Sequence, residues 1–213
     1  MPPSAAAEGN NQYLEQVYSA KSPSELKEIY DAWAPEYEQD LVGSLGYTAP
    51  KKAADALAAI LAPSPNLKVL DAGCGTGLVG VELRKLGFNN IDGIDLSQGM
   101  LAQAAKTGSY ASLTKGDLSG QLAIPDDYYN ATICVGTLTE GHVGPEAIAE
   151  FVRLTKIGGI VVVTILGTIW EPQYRSFVDK LVGAGKVDVI STDEIEYRPN
   201  FSIKLRVVAL RVL

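Results

Sequence analysis

The stretch Val69–Gly80, VLDAGCGTGLVG, constrains this chain more than any other. Val69 and Leu70 read as the end of a buried strand, and Leu78 onward (LVGVELRKLG) has the apolar spacing of a helix. Between them Gly73, Gly75 and Gly77 permit a tight turn and a close ligand approach, because they carry no Cβ. The unit is therefore strand, glycine turn, helix, with backbone N–H groups converging on whatever sits above the turn.

Two ligand classes use such a turn. The dinucleotide fingerprint G-x-G-x-x-G can be laid over Gly75, Gly77 and Gly80, but that frame starts inside the turn rather than at the strand end. It would also set a pyrophosphate against Asp71 at the mouth of the turn. An acid followed by G-x-G-x-G suits instead a zwitterion with an amino group and a cationic sulfur. Here the chain resembles the class I S-adenosylmethionine (SAM)-dependent methyltransferases, whose motif I is E/D-x-G-x-G-x-G. The stretches YDAWAPEYEQD, DAGCGTGLVG, IDGIDLSQGML and VGTLTEGHV are further similar to the methyltransferase-like family encoded in the Williams–Beuren region, a resemblance spanning residues 25 to 165.

The rest of the chain reads in order around this unit. Residues 1–10 are expected to be disordered, and 11–213 to form a single domain. Two helical pieces lie between Asn11 and Asp40, the second capped by Ser22 or Ser24, with Leu26, Ile29, Tyr30 and Trp33 on one face until Pro35 ends it. A third helix runs from about Thr48 to Leu61. Strands are expected near 67–72, 91–95, 111–115, 129–135 and 160–166, and helices near 77–86, 98–106, 145–156 and 172–183. Such alternation means an α/β fold, a doubly wound parallel sheet with helices on both faces. KVDVISTDEIEYRP and IKLRVVALRVL follow as two extended runs joined by a short loop, which permits only antiparallel pairing. The resemblance implies a Rossmann-like seven-stranded sheet, mostly parallel with an antiparallel C-terminal hairpin, and an N-terminal helical cap (11–47) over the cofactor site.

The net charge of −7 and the lack of a Lys/Arg cluster argue against nucleic acid as partner. Two cysteines, Cys74 and Cys134, are too few for a disulfide scaffold. The start MPPSAAAEGNN has no apolar signal region, and the apolar run Ile160–Leu166 is far short of a membrane span, so a cytoplasmic protein without a membrane partner is expected.

Asp95 ends the second strand roughly twenty residues after the turn, where an acid accepts ribose hydroxyls. The resemblance makes it the motif II residue, places Asp117 beside the adenine amino group, and sets Leu96, Met100 and Leu118 around the adenine. Asp71, Gly73, Cys74, Gly75 and Gly77 complete the expected cofactor contacts, and Tyr30, Trp33 and Tyr37 are candidate cap residues whose ring faces attract a sulfonium. SAM, leaving as S-adenosylhomocysteine (SAH), is the implied cofactor, and no metal is expected.

After the fourth strand, in ICVGTLTEGHVGP, lies His142, the single histidine of the chain. Its ordinary pKa near 6.5 suits a general base, and Glu140 is the rival. Trp170, Tyr174 and Phe201 are candidate acceptor walls. The expected activity is methyl transfer to an oxygen or nitrogen of a small-molecule acceptor, by a monomer or homodimer. The alternatives are a protein or peptide acceptor, and a SAM-binding fold used for non-methylating chemistry or regulation.

Overall fold

The computed structural model describes residues 11–140, 143–199 and 201–213; the expected disorder of 1–10 lies outside them. Seven strands form one sheet in the order β3-β2-β1-β4-β5-β7-β6. They are β1 (Lys68–Ala72), β2 (Asn90–Asp95), β3 (Ser112–Lys115), β4 (Tyr129–Leu138), β5 (Thr155–Leu166), β6 (Val187–Ile195) and β7 (Leu205–Val212). The first five pair in parallel, whereas β7 runs antiparallel to both β5 and β6.

Central strands are apolar on both faces because helices cover both. Along β5, Val161, Val163 and Ile165 enter one core layer, with Ile148 and Phe151 of α6 (Glu146–Leu154). Ile160, Val162 and Leu166 enter the other, with Ala53 and Leu57 of α3 (Ala49–Ile60) and Leu83 of α4 (Leu78–Leu86). Helix α7 (Arg175–Gly183) lies on the first layer through Val178. Strand β1 sits between β2 and β4, with Asp71 in register with Gly93 on one side and Ile133 on the other. The connections leaving β1 and β4 diverge there, and a crevice opens at the carboxyl ends of the strands.

Two expectations fail locally. Strand β5 begins at Thr155, directly after α6, although the helix is expected to run to about 156 and the strand to start near 160; Gly158 takes a positive φ of 79° and a register shift absorbs the irregularity between the Tyr129 and Ala131 pairs. The β6–β7 connection, 196–204, is longer than a tight hairpin, because it docks against the N-terminal segment instead of turning back at once.

The N-terminal segment contains α1 (Gln12–Ser19) and α2 (Pro23–Trp33), the latter capped by Ser22, whose hydroxyl accepts from Glu25 N–H. It has its own small core of Leu14, Val17, Trp33 and Leu41. One side chain latches it to the sheet domain. Asp31 Oδ1 accepts from Ser97 Oγ (2.6 Å) and Gly99 N–H (2.8 Å) at the start of α5 (Gln98–Lys106), and its other oxygen pairs with Lys27. Burial alone would raise the Asp31 pKa, but the hydrogen bonds from Lys27, Ser97 and Gly99 outweigh it and hold the carboxyl at about 2. A depressed carboxylate contributes stability that is complete above about pH 4 and lost as pH falls through about 2. Asp31→Ala is therefore expected to cost about 1–2 kcal/mol at pH 7, after allowance for partial exposure, with the difference from wild type shrinking towards pH 2. Urea denaturation across pH, with limited proteolysis of 11–47, reads both effects.

Candidate cofactor and active site

The glycine turn is fixed from β2. Gly73 and Cys74 N–H groups both donate to the Ile94 carbonyl (2.8 and 2.9 Å), and Gly75 N–H donates to Asp95 Oδ2 (2.9 Å). Asp95 Oδ1 accepts from Ser97 N–H, while the Ser97 hydroxyl caps α5 by accepting from Met100 N–H. Ser97 thus takes the capping role and leaves Asp95 facing the crevice. Gly73, at φ 77°, has no room for a side chain, since a Cβ would lie 2.3 Å from Thr137 Oγ1. Gly75, at φ 53°, borders open space.

That space belongs to a cavity at the carboxyl ends of the strands. Gly73, Gly75 and Asp95 form its floor; Leu96, Met100, Asp117 and Leu118 form one end. Tyr30 and Tyr37 cover it from the N-terminal segment, and Val135, Gly136, Thr137 and Val143 bound the β4 side. Burial raises the phenol pKa values of Tyr30 and Tyr37 and that of the Asp95 carboxyl. Of the remaining lining residues, Leu26 lies on the helical stripe and Val135, Gly136, Thr137 and Val143 lie in ICVGTLTEGHVGP, whereas Lys27 and Gly116 carry no signal in the sequence.

Other candidates stand behind the wall. Trp33 is 1% exposed and turned into the N-terminal core, donating from Nε1 to Asp40 Oδ2 at 2.8 Å, because its indole N–H needs a buried acceptor. The Cys74 thiol packs among Leu101 and Ala104, where burial pushes its pKa up, and Gly77 caps α4 against Ala104 and Tyr110. Trp170 and Tyr174 belong to the core; the Tyr174 hydroxyl donates to the Val143 carbonyl at 2.6 Å. Glu140 accepts from Thr168 Oγ1 at 2.9 Å and is not on the cavity wall. His142 lies outside the described residues. Among the described residues, no three His, Cys, Asp or Glu side chains gather as metal ligands.

Asp71 is fully buried. Its Oδ2 accepts from the Tyr110 hydroxyl at 2.6 Å, and that hydroxyl accepts from Gly80 N–H at 3.1 Å. This explains Gly80: a Cβ there would lie 2.3 Å from Tyr110 Cζ, so the glycine makes room for a tyrosine rather than for a pyrophosphate. Asp71 Oδ1 has no hydrogen-bond partner among the described residues, an orphaned buried acceptor at the strand end that feeds the glycine turn. An amino group above the turn fits that oxygen's chemistry; a phosphate does not.

Burial pushes the Asp71 pKa up to about 7, the Tyr110 hydrogen bond opposes this, and Asp95 adds to it. A raised carboxyl pKa favours the fold at low pH, and this contribution is lost as pH rises from about 4 through about 7. Tyr110→Phe removes the opposing bond. It is expected to destabilise the protein by about 1 kcal/mol at pH 5 and by about 2–3 kcal/mol at pH 8. Urea denaturation at the two pH values checks this; an equal loss at both would mean that Tyr110 does not act on the charged form.

A family profile described as a methyltransferase domain matches residues 69–159. Human methyltransferase-like protein 27 is 41% identical over 163 residues, which are 74% of this chain and 66% of that protein. The malonyl-[acyl-carrier protein] O-methyltransferase of Buchnera aphidicola is 35% identical over 108 residues, 50% of this chain and 43% of that enzyme. The chain thus matches less than two thirds of the length of either relative. Among solved structures, the [4+2]-cyclase SpnF superposes with a TM-score of 0.71 at 18% identity, covering 91% of this chain and 97% of that one. Magnesium protoporphyrin IX methyltransferase from Synechocystis PCC 6803, solved with SAM, gives a TM-score of 0.67 at 18% identity and covers 92% and 99%. These two establish the shared fold. With the profile and the human relative matching the chain through the turn that carries Asp71 and the strand that carries Asp95, the chain belongs to the SAM-dependent methyltransferase family.

Proposed function

We propose that this chain transfers the methyl group of SAM to an oxygen or nitrogen of a small-molecule acceptor. The observation that carries the reading is the single cavity joining Asp117, Asp95 and the Gly73–Gly75 turn beneath two tyrosine rings. Asp95 would accept from the ribose hydroxyls, Asp117 would meet the adenine edge, and Leu96, Met100 and Leu118 would pack on its faces. The turn and the free oxygen of Asp71 would take the amino-acid end, and Tyr30 and Tyr37 would offer ring faces to positive charge. Bound there, SAM supplies a methyl group activated by a cationic sulfur.

The protein's own contribution is alignment. Holding two reactants in line is worth about 7–11 kcal/mol, whereas a general base adds about 10²–10⁴ in rate, or about 3–5 kcal/mol. The reading therefore stands without an assigned base, with Glu140 and His142 as the candidates that the sequence offers. A small acceptor is supported by the acidic composition, by the covering segment 11–47, and by the absence of an inserted domain among the described residues. The Buchnera relative and the Synechocystis neighbour are named for malonyl-[acyl-carrier protein] and magnesium protoporphyrin IX. The two cysteines are buried and unpaired, and no helix among the described residues is long and apolar enough to cross a membrane. A cytoplasmic location and a monomer or homodimer complete the proposal.

The test uses SAM carrying a labelled methyl group, incubated with the chain and either a low-molecular-weight cell extract or a protein fraction. Label is expected in the small-molecule pool. Label in protein would shift the acceptor class, and label in neither, with SAM still bound, would favour non-methylating chemistry. Asp95→Ala is expected to weaken SAM binding at least about tenfold by calorimetry, since it removes charge-assisted hydrogen bonds.

A further inference from the structure

The cofactor cavity adjoins a smaller recess, which shares Gly73, Gly75, Tyr37 and Val135 with it. The rest of the recess wall includes Tyr47 and the start of α4, through Thr76, Leu78 and Val79. A helix leaves its first N–H groups without intrahelical partners, and a side-chain oxygen at the N-cap commonly meets one of them. Here the N-cap is Gly77, which has no side chain to offer. Gly80 N–H is met by the Tyr110 hydroxyl at 3.1 Å, but the Leu78 and Val79 N–H groups have no acceptor among the described residues.

A hydroxyl stands beside them unused. Thr76 is 2% exposed, and its Oγ1 is a buried polar atom with no hydrogen-bond partner. Leaving such a group unmet is costly, and each case asks for an explanation. Among the described residues three buried side-chain atoms lack a partner, and two of them, Asp71 Oδ1 and Thr76 Oγ1, flank the glycine turn. One is an acceptor where β1 ends; the other can donate where α4 begins. The phenols of Tyr37 and Tyr47 add to the donors, since burial raises both pKa values well above the ordinary one and each keeps its proton.

No Lys, Arg, Asp or Glu lines the recess among the described residues. Its donors are dipoles at the positive end of a helix, which favour a negative ligand group. Two N–H groups and one hydroxyl suit the two oxygens of a carboxylate. With Gly80 N–H already taken by Tyr110, the fuller cradle that suits a phosphate is not offered.

We infer that this recess binds the α-carboxylate of the cofactor's amino-acid end through Thr76 Oγ1 and the Leu78 and Val79 N–H groups, without a counter-cation, and thereby selects SAM and SAH over nucleoside thioethers lacking that carboxylate. The inference rests on the methyltransferase reading and adds which groups fix the amino-acid end. That end carries an ammonium and a carboxylate on one carbon, and the turn sets one unmet partner for each: Asp71 Oδ1 for the first and Thr76 Oγ1 for the second.

The test compares, by calorimetry on the full chain, SAH with S-adenosyl-3-thiopropylamine, which differs only in lacking the carboxylate. The wild type is expected to bind SAH about tenfold or more tighter, as hydrogen bonds to a charged group do. Thr76→Val keeps the shape and removes the hydroxyl. It is expected to weaken SAH about fivefold or more and to leave the amine analogue within about twofold, whereas Thr76→Ser retains the wild-type preference. Should Thr76→Val fail to fold, Thr76→Ala serves with the same expectation. Equal binding of the two ligands by the wild type would overturn the inference. So would an equal loss for both ligands in Thr76→Val, an unchanged SAH affinity there, or a Thr76→Ser that behaves as Thr76→Val. Failure of SAH to bind the wild type would instead overturn the methyltransferase reading, and this inference with it.

Discussion

The hydrogen bond from Gly75 N–H to Asp95 Oδ2 ties together everything the site needs. It joins the turn after β1 to the end of β2, and so sets the glycine backbone and the second acid at a fixed distance. The remaining supports run outward from it. Ser97 N–H holds the other Asp95 oxygen, Ser97 Oγ donates to Asp31, and Asp31 docks the N-terminal segment that covers the cavity. A short chain of polar contacts thus connects the cofactor-side carboxylate to the cover, and a bound ligand that reaches Asp95 also bears on the cover's anchorage.

Much of this was legible in the sequence, for identifiable reasons. Strand and helix alternation writes itself as apolar periodicity, so six of the seven strands fall within a few residues of expectation and the antiparallel end follows from a connection too short for a crossover. The cavity residues Gly73, Gly75, Asp95, Leu96, Met100, Asp117 and Leu118 share a logic of position, since each follows a strand end at the crevice. Signals that depend on a distant partner were not legible. Gly80 is explained by a tyrosine 30 residues later, and Trp33 shares a helical stripe with Tyr30 yet turns inward because Asp40 offers its indole an acceptor. The start of β5 hides behind Gly158 and Gly159, which read as a break. Asp31 lies within YDAWAPEYEQD, yet its latching role comes from Ser97 and Gly99, which only the fold sets beside it.

The acidic groups also settle the choice of ligand class in physical terms. Asp71 is buried and Asp95 half-buried, and both are pushed towards the neutral form, chiefly by desolvation. A pyrophosphate would deepen that penalty, because added negative charge raises both carboxyl pKa values further. A ligand with an ammonium group and hydroxyls relieves it, by offering positive charge to one acid and donors to the other. The same three glycines can therefore belong to either ligand class in a pattern search, while the carboxylates around them suit only one.

The most direct measurement of this account is calorimetric titration of the full chain with SAH and, separately, with NAD⁺. SAH is expected to bind with a dissociation constant in the micromolar range or below and NAD⁺ not to bind measurably. Binding of NAD⁺ in preference to SAH, or of neither, would contradict the claim that this turn and its acids are built for a sulfonium nucleoside.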